Sequence, residues 1–184
     1  VGKNVLRRYK TLSELAKSVQ AEAKTMGKNY TWVLEIREDL LWITPLNLTM
    51  FATSRAPQLY AIDCLLYGGI NDKALLYNQE AASLLGGRYD AFYRNDDAML
   101  DDCSNVESFL GGFMAVYGIQ VTLVPVRYLG AVSAMYRKPS GELEVCMRKT
   151  NQMLCLNPYY MPVYCEPLDH TMQRTPASCS DIDM

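Results

Sequence analysis

Apolar residues near the N-terminus recur every three or four positions, which is the spacing of one face of an α-helix. Thr11 and Glu14 form a T-x-x-E capping box at the start of this run, and Gly27 stands where a left-handed cap would end the helix. The pattern predicts a helix over residues 12–26 whose apolar face is formed by Leu12, Leu15, Ala16, Val19, Ala23 and Met26.

The period of the apolar positions changes to two after this helix, as in a strand. Residues 30–37 predict a strand with one buried face, formed by Tyr30, Trp32, Leu34 and Ile36. Residues 40–43 and 46–51 predict a further extended stretch that Pro45 interrupts, because proline cannot donate to a ladder and is confined to an edge or a bend.

Three elements are predicted in the middle of the chain: helices over residues 54–67 and 72–85, and an aromatic-rich strand over residues 88–94. A second capping box, Ser104 with Glu107, predicts another helix over residues 104–117. The strongest β pattern comes next, over residues 119–126, 131–136 and 142–148. The fold class is therefore expected to be α+β, a single domain over residues 1–150. It has an N-terminal helix, central helices and a mostly antiparallel sheet that ends in a three-stranded meander.

The last 34 residues, 151–184, lack regular periodicity and are expected to form an extended arm rich in proline and tyrosine. Residues 153–168 are too apolar for a solvated linker, since each large apolar side chain left in water forfeits about 1.5–3 kcal/mol. We expect this arm to contact a neighbouring subunit through Met153, Leu154, Leu156, Tyr159, Tyr160, Met161 and Tyr164.

The composition, 49% hydrophobic and 21% charged, excludes a wholly disordered chain. No apolar run reaches the roughly 18–20 residues that span a bilayer, and the N-terminus lacks the pattern of a signal peptide. The sequence therefore predicts a soluble, unexported protein without a membrane partner, cytoplasmic as synthesised.

Charge is distributed unevenly along the chain. Residues 1–28 carry seven basic and two acidic side chains, a balance of +5, whereas residues 80–107 carry seven acidic and two basic ones, a balance of -5. Opposite patches can meet within one molecule or between copies, and we expect Arg7 and Arg8 to face Asp101 and Asp102. The net charge of -2 and the scarcity of aromatic residues beside the basic ones argue against nucleic-acid binding.

The six cysteines lack the C-x-x-C spacing of zinc and redox sites. In an unexported chain they are expected to be reduced thiols. The alternative is that Cys155, Cys165 and Cys179 cross-link subunits of an assembly that ends up outside a cell, as in a virion.

Candidate catalytic residues are few. His170 is the only histidine, which limits any mechanism of the Ser-His-Asp or Cys-His type. Asp97 and Asp101 would lie one helical turn apart and could share a divalent cation, although a solvated acidic face needs no ligand. The chain contains no G-x-G-x-x-G, P-loop or H-E-x-x-H motif, so the sequence predicts no cofactor and no metal.

Taken together, these patterns favour a non-enzymatic structural protein that makes subunit contacts with other copies or with other subunits of a large complex. The favoured setting is a virus particle, for instance that of a bacteriophage. The alternative is a small oligomeric enzyme or metabolite-binding domain with a carboxylate and tyrosine site between subunits.

Overall fold

A computed structural model describes residues 2–37, 40–42, 44–63, 66–94, 103, 105–133, 136–137, 143–149 and 152–156. The described helices are α1 (Gly2–Met26), α2 (Gln79–Leu85), α3 (Arg88–Arg94), α4 (Val106–Val116) and α5 (Val126–Leu129). The described strands are β1 (Trp32–Ile36), β2 (Leu40–Trp42), β3 (Gln58–Ile62), β4 (Ala74–Asn78), β5 (Gln120–Val124), β6 (Ala131–Ser133), β7 (Tyr136–Arg137), β8 (Leu143–Lys149) and β9 (Gln152–Leu156).

A mixed four-stranded sheet with the order β1-β4-β3-β5 forms the centre of the fold. Strand β4 pairs antiparallel with β1 and β3, and β3 pairs parallel with β5. Strands β2 and β6 form a second, antiparallel pair, and β7, β8 and β9 form a three-stranded antiparallel sheet. The expected α+β class is confirmed.

The central sheet is covered on both faces. Leu59, Leu75 and Tyr77 pack beneath α1, α2, α3 and α4, with Phe113 of α4 fully buried. Tyr60, Leu76 and Ala74 face the opposite side, where α5 contributes Val126 and Leu129 to a second cluster. Every residue of β4 is consequently buried.

The N-terminal helix is confirmed, but it begins at Gly2 rather than near Leu12. Thr11 lies inside α1 and its hydroxyl donates to the Arg7 carbonyl at 3.0 Å, so the predicted capping box is wrong. The cap at Gly27 is confirmed: its φ is +61°, and the Lys28 N–H donates to the Ala23 carbonyl at 3.0 Å.

Two predicted helices overlap the two central strands. Residues 54–67 contain β3, and residues 72–85 contain β4 before α2 begins. The prediction failed because strands buried on both faces carry continuous apolar runs, which lack the alternation that distinguishes a half-buried strand. Asn78 then starts α2 by accepting a hydrogen bond from the Ala81 N–H at 3.0 Å.

Residues 88–94 are helix α3, not the predicted strand. The strand was predicted from the aromatic content of the segment, whereas the segment folds as a helix that buries Arg88 and Ala91. The helix predicted over residues 104–117 is confirmed as α4, but its capping box joins Asn105 and Ser108 rather than Ser104 and Glu107.

The strands predicted after residue 119 pair differently from a simple meander. Strand β5 lies beside β3 and β6 lies beside β2, so these two do not pair with each other. The first residues of the predicted arm form β9, in which Cys155 lies opposite Cys146 of β8. Residues 157–184 lie outside the described residues.

Candidate functional site

The candidate site is an apolar groove of about 560 Å³ between the C-terminal half of α1, strand β1 and helix α2. We call it the α1–β1 groove. Its size falls within the range of ligand and peptide pockets. Its lining includes Leu12, Leu15, Ala16, Val19, Ala23, Tyr30, Val33, Leu34, Ile36, Ala82 and Leu85, with Gln20, Lys24, Asn29 and Gln79 as polar members.

The groove exists because the apolar face of α1 is wider than the surface available to cover it. Toward its N-terminus, Tyr9 is buried among Phe92 and Phe109. Farther along the helix, Leu15 is 55% exposed and Val19 is 39% exposed, although both belong to the predicted apolar face. Apolar side chains grouped in this way at an open surface are typical of an interaction site.

The floor of the groove holds a buried ion pair. The Arg88 guanidinium donates to both Glu35 oxygens, at 3.2 Å and 2.6 Å, and both side chains are only 4% exposed. A third donor bond runs from Arg88 Nε to the Leu85 carbonyl at 2.9 Å. This forked geometry satisfies the carboxylate and holds β1 against the start of α3.

Tyr77 completes this pair by donating its hydroxyl to Glu35 Oε2 at 3.2 Å. Burial, followed by the nearby Glu35 charge, raises the pKa of Tyr77 well above its usual range. The phenol therefore stays protonated at neutral pH. Burial likewise raises the pKa of Tyr9, whose ring lies 5.6 Å from the Arg88 guanidinium carbon.

A second acidic centre, Asp72, lies beside this pair. Arg8 forms a hydrogen-bonded ion pair with the Asp72 carboxylate and donates to its carbonyl at 2.8 Å. The same guanidinium lies 3.7 Å from Glu35, and Arg37 approaches Asp72 to 3.6 Å. Arg8 thus links the two carboxylates into one network.

A second apolar cleft lies near β1. It has a volume of about 520 Å³ and is lined by Leu34, Trp42, Thr44, Pro45 and Leu46. Leu34 lines both this cleft, which we call the Trp42 cleft, and the α1–β1 groove. Strand β1 is an outer strand of the central sheet. Its second edge, with which no described strand pairs, runs beside apolar surface.

Several of the residues predicted from the sequence can now be placed. Arg7 is exposed on α1, whereas Arg8 is bound to Asp72 inside its own chain and is not available to a partner as predicted. Met153, Leu154 and Leu156 lie on β9, for which the backbone alone is described. Asp97, Asp101, Asp102, Tyr159, Tyr160, Met161, Tyr164 and His170 lie outside the described residues.

The buried network of Glu35, Arg88 and Tyr77 was not predicted from the sequence. Its strongest signal was Glu35, an acidic residue within the apolar run Trp32–Ile36, where a charge requires a partner. The partner could not be found from the sequence, because 53 positions separate Glu35 from Arg88.

The expectation of reduced thiols is wrong for Cys103, which is disulfide-bonded. The error followed from treating the chain as a protein of a reducing compartment, since disulfides persist mainly in oxidising surroundings.

In the described part of the chain, no helix is long and apolar enough to cross a membrane. The same residues contain no cluster of three or more His, Cys, Asp or Glu side chains that could hold a metal ion. No protein-family model, no curated protein and no solved structure matches this chain.

Proposed function

We propose that the protein is a non-enzymatic assembly protein that makes subunit contacts in a larger complex. The observation that carries this proposal is the α1–β1 groove, where Leu15, Val19, Tyr30 and Ile36 are each at least 39% exposed along one continuous surface. Covering such a surface with a partner removes apolar area from water, at about 25 cal/mol for each Å².

The groove floor supports a structural role more than a catalytic one. Glu35 is engaged by Arg88 and Tyr77, so it has little capacity left to accept a proton from a substrate. Tyr77 keeps its proton at neutral pH, since the ordinary pKa of a tyrosine, 10.0, already lies well above neutrality and burial raises the pKa of Tyr77 further. A general base needs the opposite, a free lone pair and a pKa near the working pH.

A virus particle is the setting we favour. The disulfide at Cys103 supports it, because disulfides persist outside the reducing cytosol and virion proteins end up there.

The second candidate is a small-molecule-binding domain. The volume of the groove, about 560 Å³, suits a metabolite, and Glu35 and Tyr77, which are bonded to each other, are among its lining residues.

Sedimentation equilibrium of the full chain tests the proposal and separates the two candidates. An assembly protein is expected to show masses above 20.8 kDa that increase with concentration through the micromolar range, with or without a chelator. A chain that stays monomeric at every concentration contradicts the proposal and leaves the small-molecule role.

A further inference from the structure

The free edge of β1 has an ordered pattern of backbone groups. The Arg37 N–H donates to the carbonyl of Lys73, the residue just before β4, at 3.1 Å, and bonding alternates along an antiparallel pair. Val33 and Glu35 therefore face β4, whereas Trp32, Leu34 and Ile36 direct their N–H and C=O groups away from it. No hydrogen bond from these three outward positions reaches another described residue.

Apolar surface lies beside this edge in the two places already defined. The α1–β1 groove is bordered by Leu15 and Val19 of α1, and the Trp42 cleft is bordered by Trp42 and Leu46. A strand added to β1 would gain ladder hydrogen bonds from the edge and could place its alternate side chains in the two clefts. Such a strand must be apolar on both sides, because both clefts are apolar.

We propose that residues 159–164 of a neighbouring copy form this added strand. The inference rests on the proposed function, since it names the partner that fills the groove. The segment reads Tyr-Tyr-Met-Pro-Val-Tyr, six consecutive residues that are apolar or aromatic, as a strand covered on both faces requires.

The position of the proline fixes the register of the added strand. Pro162 has no N–H, so it must face away from β1. The residues that pair with β1 are then Tyr159, Met161 and Val163, which match in number the three outward positions of β1. Tyr160 and Tyr164, like Pro162, then direct their backbone N–H and C=O groups away from β1.

Charge and chain length favour an arm from another copy. Residues 157–184 contain four acidic side chains and one arginine, a balance of -3. Helix α1 exposes Lys3, Arg7 and Lys10 toward its N-terminus and carries two basic and two acidic residues along the groove, so the acidic arm is attracted to the N-terminal end of the helix. Tyr159 follows the end of β9 by three residues, a reach of about 11 Å. Strand β9 pairs with β8 in a three-stranded sheet that does not contain β1.

Synthetic peptides of residues 157–168, with Cys165→Ser, test this pairing against the full chain. The unmodified peptide is expected to dissociate the assembly in sedimentation velocity. N-methylation of Met161 removes a backbone N–H that points toward β1. It should lower the potency with which the peptide dissociates the assembly about tenfold, as expected for the loss of one good hydrogen bond. The matched control, N-methylation of Tyr160, alters an outward position and should leave competition unchanged.

Equal potency of the two methylated peptides, or no effect of the unmodified one on an assembling chain, overturns the strand addition. A full chain that is monomeric without peptide instead removes the proposed function itself, so the two failures are distinguishable.

A mixing experiment separates a neighbouring arm from the chain's own arm. Val19→Lys obstructs the groove and Met161→Asp alters the arm, so each variant alone should remain monomeric. Their equimolar mixture should form a complex of two chains, because one copy supplies an intact groove and the other an intact arm. A mixture that stays monomeric overturns the exchange between copies.

Discussion

Glu35 and Arg88 are both almost fully buried, unlike Glu14 and Lys17, whose side chains are 63% and 68% exposed. Removing one member of a buried pair leaves an uncompensated charge, which costs about 3–5 kcal/mol. Exposed pairs contribute about 0–1 kcal/mol, because water screens both charges. The two pairs therefore provide a matched comparison within one molecule.

We expect Arg88→Met to lower the free energy of unfolding by about 3–5 kcal/mol, measured by urea denaturation. The control Lys17→Met should change it by less than about 1 kcal/mol. The double variant Glu35→Leu/Arg88→Met should recover part of the loss, since neither charge of the pair remains, while the buried Tyr77 hydroxyl loses its acceptor. A double variant as unstable as Arg88→Met would show that the pair does more than neutralise a buried charge.

At the scale of single elements, the start of α4 is packed tightly against the loop before β4. The Ile70 N–H donates to the Glu107 carbonyl at 3.0 Å, and a Cβ added to Gly69 would lie 1.9 Å from that carbonyl oxygen. This contact fixes α4 over the sheet and explains why a glycine stands at position 69.

Gly69→Ala is expected to destabilise the fold by about 1–3 kcal/mol, because the backbone of α4 must move to admit the methyl group. Gly86→Ala is the control, since its Cβ would meet Ala16 at an ordinary 3.6 Å and its φ is already helical at -58°. Thermal unfolding of both variants measures the difference. Equal effects would contradict the close packing described here.

The same junction gives a prediction about pH. Burial raises the pKa of Glu107 above its ordinary value of 4.5, and the nearby Asp72 charge raises it further. The folded chain therefore binds more protons than the unfolded chain above about pH 4.5, so the free energy of unfolding should fall as pH rises through the raised pKa. Glu107→Gln should remove this component, whereas an unchanged pH profile would contradict the burial of the carboxyl group.

Local sequence patterns predicted some elements correctly and others wrongly. Helix α1 could be found because its apolar residues recur on one face and Gly27 ends it. Helix α4 was placed from a capping box that lies one residue farther along, at Asn105 and Ser108. Strands β3 and β4 were misread because burial on both faces removes the alternation of a strand. The groove could not be predicted, since it depends on which part of the α1 face the sheet leaves uncovered, and that is decided by contacts distant in sequence.

At the scale of the whole molecule, the charge asymmetry gives association a salt dependence. Arg7 is exposed on α1, while Arg8 is held by Asp72, so the exposed basic residues are the ones available to a partner. We expect association to weaken between about 0.05 and 0.5 M salt, as the Debye length shrinks from roughly 14 to 4 Å.

The predicted meeting of the two charged segments has its own test. Arg7→Glu should weaken association, and Asp101→Lys should restore part of the loss if the two segments touch. Sedimentation at low salt measures both effects. Without any rescue, the basic face of α1 would have to meet a different acidic partner, such as the arm.

The most direct test of assembly through the α1–β1 groove compares two substitutions on adjacent residues of α1. Val19→Lys places a charge in the groove, while Ser18→Lys adds the same charge at an exposed position outside the groove lining. In sedimentation velocity at matched concentration, Val19→Lys is predicted to be monomeric and Ser18→Lys to assemble like the unaltered chain. Full assembly of Val19→Lys, or equal loss in both variants, would contradict the account.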